Sequence, residues 1–133
     1  MSGPERADPA PDLPLFVYGT LMTGGAAEGM IGRRRRGPAW TRGRLFHLPA
    51  GYPAMQAGGS GRVFCEWVDP VPSARLVLLD QYEGVDEELF RRIVIEVSTD
   101  AATFPAWAWV MDDPPARGGV VVPSGRWRSV VRR

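Results

Sequence analysis

The chain has 133 residues, enough for one hydrophobic core, and its 44% hydrophobic and 23% charged content excludes wholesale disorder. Its 16 basic residues are all arginine, and a formal net charge of +1 argues against a strongly basic nucleic-acid protein. The charge is uneven: residues 1–65 carry a net +4 and residues 66–133 a net −3.

A single cysteine, Cys65, excludes an intramolecular disulfide framework and leaves no companions for a zinc cluster. The N-terminus holds acids and prolines rather than an apolar signal region, and no run of 18 apolar residues occurs. These features predict a soluble cytoplasmic protein without a membrane partner.

Residues 1–13 read as a disordered leader, 14–128 as one domain, and 129–133 as a basic tail. Leu15-Phe16-Val17-Tyr18 predicts a buried strand that stops at Gly19 and enters a tight loop over residues 20–25. A short helix is expected from Ala26 to Ile31. Residues 38–48 form a second expected strand, with Gly43 marking a bend or bulge. The turn-rich segment 49–60 reads as a long loop, followed by a strand over 61–68.

Ser73 is an expected cap for a helix over 74–83, and Gly84 supplies a left-handed stop. Ile93, Ile95 and Val97 alternate within a strand over 90–97. Thr103 to Met111, with Trp107 and Trp109 alternating against alanine, gives its antiparallel hairpin partner. Val120 to Val122 and Ser124 to Trp127 close the domain.

Two places suggest chemistry. Leu76 and Leu79 define a helical stripe, and Glu83 lies four residues beyond Leu79, so its carboxylate turns toward the same face. The C-terminal helix dipole and partial burial both raise the proton affinity of such a group, making Glu83 a candidate general base or acid. On pattern alone, a surface glutamate at a helix edge is the alternative reading. The second place is the turn after Tyr18, where successive backbone N–H groups can bind an anion and Thr20 can add a hydroxyl. A purely structural turn is the alternative there.

Several motifs occur together: Phe16-Val-Tyr-Gly-Thr-Leu, Gly43-Arg-Leu-Phe with Gly51-Tyr-Pro-Ala, Gly61-Arg-Val-Phe, Leu79-Asp-Gln-Tyr-Glu-Gly, Phe90-Arg-Arg and Gly125-Arg-Trp. In this order the chain resembles the gamma-glutamylcyclotransferase-like superfamily, in particular its AIG2-like and gamma-glutamylamine cyclotransferase branch, from Leu15 to Trp127. The resemblance implies an α+β fold, a compact mixed β-barrel with short flanking helices and a pocket at one end. It assigns carboxylate binding to the loop of Tyr18, Gly19, Thr20 and Leu21, and proton transfer to Glu83. The reaction it implies releases 5-oxoproline and a free amine from a small γ-glutamyl amide or peptide, without cofactor or metal.

Two departures stand out. Phe90 occupies a position where the family often has tyrosine, and Met22 one where arginine is common; both bear on substrate identity more than on Glu83.

Other residues read more quietly. Tyr52, with Pro53, is an expected substrate-contacting lip of the pocket, and Trp107, Trp109 and Trp127 are expected to pack the core, an aromatic wall over the aliphatic stem of the donor being the functional alternative. His47 reads as a strand histidine with a local hydrogen bond, and Cys65 as a small hydrophobe. Asp69, Asp80, Asp86, Glu87 and Glu88 follow no metal-loop spacing. The run Arg33 to Arg36 reads as a solvated loop, and nucleic acid is not an expected partner. A noncatalytic protein that binds a carboxylate-bearing metabolite, and an interaction protein using the basic surface, remain the competing functions.

Overall fold

The computed structural model describes residues 12–19, 21 and 27–127. The expected leader up to residue 11, most of the loop after Gly19 including Thr20, and the expected basic tail lie outside the described residues.

Among the described residues, six strands and one α-helix follow in chain order: β1 (Leu15–Val17), β2 (Arg36–His47), β3 (Pro53–Val68), α1 (Ser73–Tyr82), β4 (Arg91–Ser98), β5 (Thr103–Val110) and β6 (Val120–Val121). The sheet runs β3-β1-β5-β4-β2, and β2 pairs with β3 to close a five-stranded barrel, with β6 added at β2. One pairing, β1 with β5, is parallel; the others are antiparallel. Closure removes the exposed edges that an open sheet would present.

The short apolar β1 owes its place to burial on both faces, since Leu15, Phe16 and Val17 are all buried. A fully apolar run cannot sit at a solvated edge, so it lies between β3, with Leu15 opposite Val68, and β5, with Leu15 opposite Trp107. Alternation along the strands then sorts the core into two clusters. Phe16, Ala39, Leu45, Met55, Val63, Val97, Ala106 and Ala108 pack within the barrel. Leu15, Val17, Trp107 and Trp109 face outward and meet Leu76 and Leu79 of α1. Burying each of those leucines contributes about 1.5–3 kcal/mol, which seats the helix against the barrel wall.

Three expectations change. The segment 49–60 is mostly strand: β3 begins at Pro53, and the β2–β3 register shifts between Arg42, opposite Arg62, and Gly43, opposite Ala57. Residues 58–61 are the inserted bulge, so glycine-rich composition here marks an interruption within a strand rather than a loop. The helix is not capped by Ser73; Pro72 holds the N-cap position, with its carbonyl accepting from the N–H groups of Arg75 and Leu76. Instead of a helix at 26–31, Glu28–Met30 form a single 3-10 turn. Only one true α-helix flanks the barrel among the described residues, the remaining helical pieces being 3-10 turns at Glu28–Met30, Val85–Glu87 and Pro114–Arg117.

Among the described residues no helix is long and apolar enough to cross a membrane.

Candidate active site

The end of α1 faces the end of β1 across a cavity of about 290 Å³. Its walls are Phe16, Val17, Tyr18, Gly19 and Leu21 on one side, Tyr82, Glu83, Leu89 and Phe90 on another, with Tyr52, Pro53 and Trp109 completing it. Of the residues expected from sequence, Tyr18, Gly19, Leu21, Tyr52 and Glu83 therefore meet at one place. Thr20 lies outside the described residues.

Glu83 arrives there by helix geometry. It is the residue at the C-cap of α1, its N–H donating to the Leu79 carbonyl at 2.9 Å. Gly84 then turns the chain out of the helix at φ 71°, a left-handed conformation that glycine adopts without a side-chain clash. The stripe of Leu76 and Leu79 faces the barrel, and the next position on that side is a half-buried carboxylate.

The environment alters this acid. Burial pushes the Glu83 pKa up, and the nearby charge of Asp80 pushes in the same direction, to about 7. No hydrogen bond from Glu83 side-chain oxygens to another described residue offsets either effect. Near neutral pH the group is thus divided between its acid and base forms, the condition in which a carboxyl can both accept and return a proton.

The opposite wall is held rigidly. The Tyr18 hydroxyl donates to the Trp109 carbonyl at 2.7 Å and the residue is buried. Burial, and secondarily the charge of Glu83, holds this phenol well above its usual pKa, while a main-chain hydrogen bond at Met55 acts the other way. Tyr18 is therefore a neutral donor already committed to a protein carbonyl. Gly19 approaches Pro53 so closely that a Cβ there would stand 2.9 Å from the proline Cγ. Leu21 is buried, and its carbonyl is reached by Arg36 Nη1 at 3.5 Å.

The remaining wall is aromatic. Tyr52 packs against Phe90 with ring centroids 6.2 Å apart, placing the expected lip and the phenylalanine departure on the same surface. From the sequence, Trp109 is expected in the core or as an aromatic wall over the donor, and Asp80 is one of a crowded set of acids without metal-loop spacing. In the fold, Trp109 lines the cavity and its indole N–H donates to Asp80 at 2.9 Å. Their separation of 29 residues hid that pairing from any local pattern.

His47 accepts from the Trp127 indole at 3.4 Å. Cys65 is half-buried and packs against both core clusters. Among the described residues no group of three or more His, Cys, Asp or Glu side chains is placed to hold a metal ion.

A closed five-stranded mixed barrel with one α-helix is the fold of gamma-glutamylcyclotransferase-like structures. Residues 15–129 match the family described as gamma-glutamyl cyclotransferase, AIG2-like, and the chain belongs to that family. Among solved structures it is similar to YkqA from Bacillus subtilis, with a TM-score of 0.71 and 22% identity over 89% of this chain, although it spans only 40% of that protein. It is also similar to PH0828 from Pyrococcus horikoshii, with a TM-score of 0.67 and 22% identity over 89% of this chain and 92% of the other. An AIG2-like protein from Mus musculus gives a TM-score of 0.66 and 18% identity over 75% and 77% of the two chains. These likenesses establish the fold. No curated protein matches significantly.

Proposed function

We propose that the chain is a cyclotransferase that closes the γ-glutamyl group of a small amide or peptide into 5-oxoproline and releases the amine. The observation that carries this reading is Glu83, a proton-transfer group poised near neutrality, on the wall of a small cavity shared with Tyr18, Gly19 and Leu21. The cavity volume suits a ligand at the small end of the usual range, such as one glutamyl unit.

The chemistry needs little more. The α-carboxylate is anchored by main-chain N–H groups of the turn that includes Gly19 and Leu21, which folds the chain so that the α-amine faces its own γ-carbonyl carbon. As the α-nitrogen attacks, the Glu83 carboxylate accepts a proton from it. The bond from the γ-carbon to the leaving nitrogen breaks as Glu83 returns a proton to that nitrogen. One proton leaves the α-ammonium to free the attacking lone pair and a second leaves as the lactam forms; Glu83 relays each in turn to the leaving nitrogen, so the α-nitrogen loses two protons, the leaving nitrogen gains two, and no water is consumed.

A second groove shares Leu89 and Phe90 with the cavity and extends past Glu88, Arg91 and Asp113, giving the leaving amine an exit. Phe90 offers it an apolar surface with no hydroxyl to select a particular amine.

The direct test incubates the purified protein with a panel of γ-glutamyl amines and γ-glutamyl dipeptides and measures 5-oxoproline. Turnover of at least one member is expected. Calorimetric binding of a γ-glutamyl compound with no product from any member would overturn catalysis and favour a metabolite-binding protein.

A further inference from the structure

Asp80 stands one turn before Glu83 on α1 and is the most heavily hydrogen-bonded carboxylate near the cavity. Arg92 of β4 forks onto it, with Nε at 2.8 Å and Nη2 at 3.2 Å from its two oxygens, and the Trp109 indole of β5 donates to it at 2.9 Å. The ion pair is half-buried, with both side chains 22% exposed, so these bonds are better protected than a surface pair. Arg92 is fixed in turn, its guanidinium lying 4.3 Å from the centroid of the Trp107 ring. The last turn of the helix is thereby tied to two adjacent barrel strands by one carboxylate.

Trp109 extends the connection. Its indole N–H meets Asp80, its ring lines the cavity, and its carbonyl accepts from Tyr18, the residue before Gly19. A single buried tryptophan therefore spans the distance between the helix end and the turn after β1, using both its side chain and its main chain.

We propose that Asp80 is the positioning residue for Glu83, and that through Trp109 it sets the placement of the Glu83 carboxylate relative to the turn at Tyr18 and Gly19. Asp80 touches no reacting atom in this scheme. It acts in two ways, one mechanical and one electrostatic. Its three hydrogen bonds hold the helix end in place, and its negative charge disfavours ionisation of Glu83. Among the described residues, the other titratable or charged groups around Glu83 are Tyr82 on its own helix, Tyr18 just after β1, Tyr52 from the turn before β3 and Glu87 of the 3-10 turn beside Gly84, with Arg92 of β4 reached through Asp80. Of these, Asp80 is the one whose charge raises the proton affinity of Glu83.

The consequences for rate rest on the cyclotransfer reading, whereas the consequence for titration does not, and the experiment separates them. The Glu83 side-chain carboxyl is followed by carbon-13 NMR through a pH titration in the parent protein, Asp80→Asn and Trp109→Phe. Asp80→Asn is expected to lower the Glu83 midpoint by about half a unit or more, because a like charge is removed. Trp109→Phe keeps the ring, the carbonyl and the charge of Asp80, so its midpoint should stay close to the parent value. In parallel, 5-oxoproline release should show kcat falling about tenfold to a hundredfold in Asp80→Asn with KM changed less, as expected for a misplaced base.

The acid limb of the rate profile should move down with the NMR midpoint. A folded Asp80→Asn protein with an unmoved Glu83 midpoint, or with unchanged kcat while the parent turns over substrate, overturns the proposal. Absence of turnover in the parent overturns the cyclotransfer reading instead, leaving the titration to decide the role of Asp80. Should Asp80→Asn fail to fold, Arg92→Gln supplies the second variant. It releases the clamp but keeps the negative charge, and is expected to raise the Glu83 midpoint while lowering kcat; a midpoint that stays or falls there overturns the proposal.

Discussion

The arginine run at residues 33–36 and the helix end at residues 80–84 are two charged segments flanking the fold, and they use their charges in opposite ways. Arg34 donates to the carbonyls of Ile31 and Pro70, Arg35 pairs with Asp69, and Arg36 pairs with Glu66 and reaches the carbonyl of Leu21. These arginines bind the chain to itself. At the helix end, Asp80 is equally committed, to Arg92 and Trp109, but Glu83 projects into a cavity with no hydrogen-bonded described partner. Charge density alone thus says little about function; what matters is whether each charge already has a partner. The two regions also meet at the cavity, since Arg36 Nη1 reaches the carbonyl of Leu21 on its wall at 3.5 Å.

The sharpest way to break this comparison is at Glu83 itself. Glu83→Gln keeps the shape and removes the base, and should reduce 5-oxoproline release by about two to four orders of magnitude in a kcat measurement. The same variant should gain stability, because the native state holds this acid at a pKa of about 7, above its ordinary value of 4.5. Between those values the folded protein binds more protons than the unfolded chain, so the contribution of Glu83 to stability is greatest below about pH 4.5 and is lost as pH rises through 7. After allowance for partial exposure the loss is on the order of 2 kcal/mol. Thermal unfolding of the variant should therefore exceed that of the parent at pH 8.5 and converge with it at pH 4.5.

A smaller effect is expected across the cavity. Gly19→Ala places a methyl group 2.9 Å from the ring of Pro53, displacing the turn rather than the base. KM for a γ-glutamyl amine should rise about tenfold with a lesser change in kcat, measured by initial rates over a substrate series. The pH profile supplies the next test. With Glu83 required as a carboxylate, kcat/KM should fall on the acid side with a midpoint near 7, and that limb should vanish in Glu83→Gln. The smallest effect belongs to the other region. Arg35 is exposed and pairs with Asp69 at the surface, so Arg35→Ala should leave turnover unchanged and barely move the thermal midpoint.

The contrast also explains what could be read in advance. The stripe of Leu76 and Leu79 turned Glu83 toward the barrel side because a helix of ten residues obeys a local period, although the same pattern fitted a surface glutamate, and the β4–β5 hairpin followed from alternation on either side of a short polar turn. The bulge at 58–61 did not, because its glycines satisfy loop composition while the strand continues through cross-strand bonds that composition does not encode. The anchoring of Asp80 was equally hidden, since its partners lie 12 and 29 residues away and only barrel closure brings them together. Ser73 misled for a related reason: a good capping residue stood beside a proline that already set the helix entry. Local chemistry was legible, and long-range partnership was not.

In the proposed reaction the helix-end carboxylate acts on a γ-glutamyl donor in the cavity it shares with the residues after the first strand. Its most direct test is 5-oxoproline formation from γ-glutamyl amines by the parent and Glu83→Gln proteins, each shown folded by thermal unfolding. Product from the parent and almost none from the variant is the expected result; equal product from both would contradict the assignment.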